Sequence, residues 1–114
     1  MTTVHTLASG SSGNAAVLSC GDTHLLIDAG ISCRRITAAL KELGLTPADL
    51  TAILITHTHS DHISGLNTLL KKTTCPLLAT PWTCRELSCR VEGIDPRLMG
   101  LDSPITLGEI DMQP

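Results

Sequence analysis

Apolar positions along the chain fall into short runs, broken by polar, glycine-containing or proline-containing stretches. Residues 4–7, 15–19 and 24–27 have the length and apolar content of strands. Cys20-Gly21-Asp22-Thr23 separates the last two and reads as a turn, so they pair as a hairpin. The strand at 4–7 is placed at or near a sheet edge. The period then changes. Ile36, Ala39, Leu40 and Leu43 make one stripe, with Arg34, Arg35, Lys41 and Glu42 off it, which predicts a helix over 33–43 that stops at Gly44. Thr46-Pro47-Ala48-Asp49 combines a cap, a proline and an acidic third position, the pattern of a single helical turn. It feeds the run Ala52-Ile53-Leu54-Ile55, read as a buried strand.

Ile63, Leu66, Asn67 and Leu70 again recur at helical spacing, and Lys71 and Lys72 complement the C-terminal end of that helix. Residues 76–79 read as a strand. Thr80-Pro81 opens a helix to about Arg90, with Trp82 in its first turn read as packing. Residues 93–103 read as irregular, and 105–107 and 110–112 as two strands joined at Gly108-Glu109. Strands and helices thus alternate after a leading hairpin, which predicts one α/β domain with a mixed sheet and helices packed on it.

The break after residues 52–55 is Thr56-His57-Thr58-His59-Ser60-Asp61-His62. It gathers three of the chain's five histidines and one aspartate at the C-terminal end of a strand, where α/β folds collect ligands. Neutral imidazole and carboxylate suit zinc, manganese or iron. His57 and His59 are two residues apart, so in an extended turn they point the same way and can grip one ion. Asp61 and His62, at the helix start, can face a second position. Two ions about 3.5–4 Å apart make a two-metal hydrolytic centre. The plainer reading is a polar surface turn.

Three other features bear on a site. Ser9, Gly10, Ser11, Ser12, Gly13 and Asn14 form a glycine-rich loop whose backbone N–H groups can cradle phosphate, or a plain tight turn. Asp28 closes an apolar strand, where a carboxylate is costly to bury without partners. It therefore needs a partner, and capping the following helix is one reading. Cys84 and Cys89 have the spacing of a weak metal pair, and Arg34 and Arg35 either meet phosphate or form a solvated face. His5 and His24 read as ordinary strand residues.

Composition narrows the classes. The 114 residues are 42% hydrophobic, with one tryptophan and no phenylalanine or tyrosine, so the core is aliphatic and Trp82 is the only platform for stacking a base. A net charge of −3 argues against a broad basic surface for nucleic acid. It leaves a nuclease open, because bound divalent ions reverse the local sign. Five irregularly spaced cysteines fit a cytoplasmic protein with free thiols. The start shows no signal-peptide pattern, and no apolar run approaches the ~18 residues that span a membrane.

The H-x-H-x-D-H pattern resembles the signature of the metallo-β-lactamase fold hydrolases. Leu7-Ala8-Ser9-Gly10-Ser11-Ser12-Gly13-Asn14 and Leu25-Leu26-Ile27-Asp28-Ala29-Gly30 resemble its nuclease-like branch, often called the YycJ or WalJ group. The resemblance covers the whole chain but only the N-terminal part of such an enzyme. It implies that residues 1–114 form a partial domain: the N-terminal half of an αββα sandwich, a mixed sheet with helices on its outer face. It implies two divalent ions in the complete fold, Zn2+ or Mn2+, with His57, His59, Asp61 and His62 as ligands. Asp61 is also the catalytic partner of the attacking water. Asp28 supports the turn, and the Ser9 to Asn14 loop holds a flanking phosphate.

The implied activity is metal-dependent phosphodiester hydrolysis of DNA or RNA. Alternatives are a thioester, lactam or lactone hydrolase of the same fold, and a non-catalytic fragment that binds a partner. The family draws further ligands, a histidine, a bridging aspartate and a last histidine, from later sequence, and no histidine follows His62 here. A truncated form is therefore expected, with the inner face of its sheet exposed and covered by a complementing chain or a second copy.

Overall fold

The structure, a computed structural model, describes residues 2–10, 13–56, 63, 65–90, 98–100, 105–107 and 110–112. Its elements in order are β1 (Thr2–Ala8), β2 (Ala15–Cys20), β3 (Thr23–Ile27), α1 (Cys33–Glu42), a 3-10 turn (Pro47–Asp49) and β4 (Ala52–Leu54). They continue with α2 (Leu66–Leu69), β5 (Leu77–Ala79), α3 (Pro81–Arg90), β6 (Leu98–Gly100), β7 (Ile105–Leu107) and β8 (Ile110–Met112). The first six strands make one sheet in the order β1-β2-β3-β4-β5-β6, and β7 and β8 pair separately. Strands β1 to β3 are antiparallel; β3 to β6 run parallel. The sheet is therefore mixed, with β1 at its edge as the sequence indicates.

From β3 onward each crossover steps one strand in the same direction. Right-handed crossovers taken in one direction put every connecting helix on one face. The core follows that rule. Ile36 and Leu40 of α1, Leu66 and Leu69 of α2 and Leu87 of α3 join Val17, Leu26, Ile53 and Leu77 of the sheet in one buried cluster. All three helices then begin at the edge where β3, β4 and β5 end.

Local chemistry sets the element ends. Ser32 caps α1, its hydroxyl oxygen accepting from the Arg35 N–H at 3.3 Å. At the other end the Leu45 N–H closes on the Leu40 carbonyl at 2.8 Å, just past Gly44. The Thr46 N–H donates to Asp49 Oδ2 at 2.8 Å and shapes the 3-10 turn.

Three expectations need correction. Residues 93–103 are not wholly irregular, because Leu98–Gly100 is strand β6, paired parallel to β5. Three residues are too short to show a period, and their pairing is set by a neighbour distant in sequence. Trp82 does not pack: it is 67% exposed, because α3 turns Thr83 and Leu87 inward. The sheet face away from the helices is not bare either. Leu25, Ala52 and Leu78, adjacent across three strands, are buried, and Leu18, Cys20 and Leu54 pack against them half-buried.

Ile53 is fully buried on the central strand beneath the helices. Ile53→Ala is expected to destabilise the fold by about 2–5 kcal/mol, read as a lower urea midpoint. A change below about 0.5 kcal/mol would contradict this placement of the core.

Candidate metal centre

β3 and β4 end level with each other, with Ile27 opposite Leu54. Asp28 follows β3 and adopts φ 64, a left-handed conformation that aspartate tolerates better than most residues. Its N–H donates to the Leu54 carbonyl at 2.7 Å. Its side chain, only 5% exposed, reaches over the end of β4. Oδ1 accepts from the Thr56 N–H at 2.8 Å, and Oδ2 accepts from the Thr56 hydroxyl at 2.6 Å. A buried carboxylate thus has its oxygens engaged by the residue immediately before His57. The cap of α1 is Ser32, so the capping alternative for Asp28 falls away.

The other end of the histidine segment returns to the same loop. The Gly65 N–H donates to the Ala29 carbonyl at 2.8 Å. A Cβ on residue 65 would collide with the Ile31 carbonyl oxygen, so the approach requires glycine. The 28–31 loop is braced in turn from its far side. The Gly30 N–H donates to the Asn14 carbonyl at 2.8 Å, and a Cβ on Gly13 would come within 2.5 Å of the Gly30 carbonyl oxygen. Three loops at one sheet edge therefore pack closely, and the middle one bonds to Thr56 on one side of the histidine segment and to Gly65 on the other.

His57, His59, Asp61 and His62 themselves lie outside the described residues, as do Ser11 and Ser12. Among the described residues no three His, Cys, Asp or Glu side chains gather as a metal site. Of the glycine-rich loop, Ser9 is exposed. Asn14 faces inward, its Oδ1 accepting from the Gly10 N–H at 3.2 Å and its Nδ2 donating to the Gly10 carbonyl at 3.0 Å. The Gly13 N–H also donates to the Gly10 carbonyl, at 3.3 Å. These donors shape the loop.

The remaining candidates sit elsewhere. His24 Nδ1 lies 2.7 Å from Ser19 Oγ, across the β2–β3 hairpin and away from the strand ends. His5 is exposed on β1. Cys84 donates its thiol to the Ala79 carbonyl at 3.5 Å, and burial pushes its pKa up, which disfavours the thiolate a metal needs. Arg34 and Arg35 are exposed in the first turn of α1. Thr56, Gly13 and Gly65 were not singled out individually from sequence. The signal for Gly65 was present: a glycine inside a helical pattern three residues after His62.

Comparison with known proteins agrees with this architecture. A family model described as the metallo-beta-lactamase superfamily matches residues 8–83, a span that includes Asp28 and all of 57–62. Exodeoxyribonuclease WalJ from Streptococcus pneumoniae is 41% identical over 112 residues, which is 94% of this chain and 42% of that protein. Exodeoxyribonuclease YycJ from Bacillus anthracis is 43% identical over 77 residues, 68% of this chain and 29% of that protein. The chain thus spans less than half the length of these curated relatives. Among solved structures, Rm3 metallo-beta-lactamase superposes with a TM-score of 0.76 over 95% of this chain and 46% of its own, at 24% identity. That likeness concerns the fold.

Asp28→Ala would remove both hydrogen bonds to Thr56 and leave a small cavity where the buried carboxylate stood. A loss of about 1–3 kcal/mol in urea unfolding is expected, with faster hydrogen exchange at the Thr56 amide. Asp28→Asn, which keeps an acceptor and tolerates the same φ, should lose less. Unchanged exchange at Thr56 in Asp28→Ala would contradict the bracing described.

Proposed function

The chain belongs to the metallo-beta-lactamase superfamily, and on that premise we propose that it supplies the N-terminal part of a metal-dependent phosphodiesterase acting on DNA or RNA. One observation carries the reading. The H-x-H-x-D-H segment leaves the end of β4 through Thr56, which a buried Asp28 carboxylate holds by two short hydrogen bonds. A ligand turn works only if its donors converge, and convergence requires fixed ends.

The donor chemistry fits a divalent ion. In this reading His57 and His59 hold one ion, Asp61 and His62 a second, with Zn2+ or Mn2+ as the metal. When bound, such ions supply a Lewis acid that activates water and offsets charge on a phosphoryl oxygen. Asp61 accepts a hydrogen bond from the attacking water and orients it. Asp28, with both oxygens turned to Thr56, positions the turn and leaves ligation to residues 57–62. A phosphate flanking the cleaved bond is left to the Ser9, Ser11 and Ser12 hydroxyls, because Asn14 and the Gly10 and Gly13 amides close the loop on itself.

The choice of a phosphodiester over a thioester, lactam or lactone is supported by the exodeoxyribonuclease names of the relatives at 41–43% identity. Because the chain spans 42% of the WalJ relative, we read residues 1–114 as a partial domain. A complementing chain or second copy would bring the remaining ligands and cover the half-buried Leu18, Cys20 and Leu54. A cytoplasmic location is supported by Cys20 and Cys33, which are thiols among the described residues. Among the described residues no helix is long and apolar enough to cross a membrane.

Elemental analysis of chain purified without chelator tests the site. Bound zinc or manganese is expected, and it should be lost in a His57→Ala/His59→Ala variant whose thermal unfolding matches the parent. The loaded protein is expected to cleave an oligonucleotide and to leave thioester and lactam substrates intact. Equal metal in parent and variant would refute the assignment of ligands. Turnover of a lactam or thioester without cleavage of a phosphodiester would refute the substrate class.

A further inference from the structure

The only tryptophan in the chain is on the surface. Trp82 is 67% exposed in the first turn of α3, and the Arg85 guanidinium carbon lies 5.9 Å from its ring centroid. That is cation–π geometry, with one exposed side chain over another. The helix turns Thr83 and Leu87 inward and leaves the indole in water. A hydrogen bond from the Ile55 N–H to the Leu78 carbonyl keeps β4 and β5 in register at their ends. Continuing that register sets Thr80 level with Thr56, one strand spacing of about 4.8 Å away. Trp82 therefore stands at the sheet edge where the histidine segment begins.

Charge at the same edge is unusual. Helix first turns favour acidic residues, yet α1 and α3 have none there. Arg34 and Arg35 open α1 instead, and Arg85 follows closely in α3. β4, which leads into residues 57–62, lies between the strands that feed these two helices. Exposed arginines thus lie near the starts of the helices fed by both neighbours of β4, in a chain of net charge −3. Glu86, half-buried beside Arg85, has partners of its own.

We propose that Trp82 and Arg85 form a stacking platform that holds one nucleobase of a single-stranded nucleic acid at the rim of the metal turn. The proposal rests on the nucleic-acid reading above and adds strandedness to it. Every base has a π-face, so stacking gives affinity without sequence preference and without a broad basic surface. A duplex keeps its bases stacked inside and cannot offer a face to Trp82. Arg85 adds its cation to the indole face and can meet the phosphate beside the stacked base.

Because Trp82 is the only tryptophan and the chain has no tyrosine, intrinsic fluorescence reports this one position. Titration with a single-stranded phosphorothioate oligothymidylate is expected to quench the emission. A duplex and an abasic oligomer of the same length are expected to leave it unchanged. By anisotropy of a labelled oligonucleotide, Trp82→Ala should weaken single-strand binding on the order of 5- to 100-fold, and Trp82→Phe should recover part of it. Its exposure means that Trp82→Ala should unfold as the parent does.

Binding without quenching, and unaltered in Trp82→Ala, would overturn the platform while leaving the nucleic-acid reading in place. Absence of binding to any oligonucleotide would overturn both. Emission that shifts with protein concentration but not with oligonucleotide would overturn the platform in favour of a second copy seated on Trp82.

Discussion

A buried carboxylate with hydrogen-bond partners is the constraint on which the candidate site depends. Asp28 sits where β3 and β4 have both ended, and its oxygens take the N–H and the hydroxyl of Thr56. Burying that group without partners would cost several kcal/mol, so the fold favours the arrangement in which the carboxylate and Thr56 meet. Their meeting fixes the direction in which the chain leaves β4, and therefore where His57 begins. The parallel pairing of β3 with β4 makes this possible, because it brings both strand ends to one edge. An antiparallel pair would put Asp28 and Thr56 at opposite edges.

Around that interaction the backbone itself is the packing material. Gly13 and Gly65 approach the 30–31 stretch from two sides, closer than a side chain allows. Hydrogen bonds from Gly30 to Asn14 and from Gly65 to Ala29 tie the three loops together. Loops built this way have few alternative arrangements, since each close contact excludes a neighbouring backbone path. The ligand role proposed for residues 57–62 fits such surroundings, because ordering donors in advance lowers the entropy lost on binding. The helices contribute by crossing on one face, so that α1 and α3 both begin at the edge where β3, β4 and β5 end.

Much of this was legible in the sequence. Period and breakers located the β2–β3 hairpin, α1 with its stop at Gly44, the proline-led turn at 47–49 and the β7–β8 pair, because each is fixed by contacts close in sequence. Asp28 was legible as a carboxylate that needed a partner, but not which partner, since Thr56 lies 28 residues away. β6 was hidden, because three residues carry no period and its strand character comes from pairing with β5. Trp82 was misread: hydrophobicity assigns tryptophan to a core, and only the rotation of α3 shows that it faces water. The far face of the sheet was expected bare because half a sandwich was imagined without its own neighbours. Leu25, Ala52 and Leu78 are nonetheless buried there in one cluster.

The central claim is that the turn after β4, and not the cysteines, gathers the metal ligands. X-ray absorption at the zinc edge of the zinc-loaded chain tests it directly. The account predicts a first shell of nitrogen and oxygen alone at about 2.0–2.2 Å, with the outer-shell scattering of coordinated imidazole. Sulfur at about 2.3 Å would place the ion on the cysteines and contradict the account.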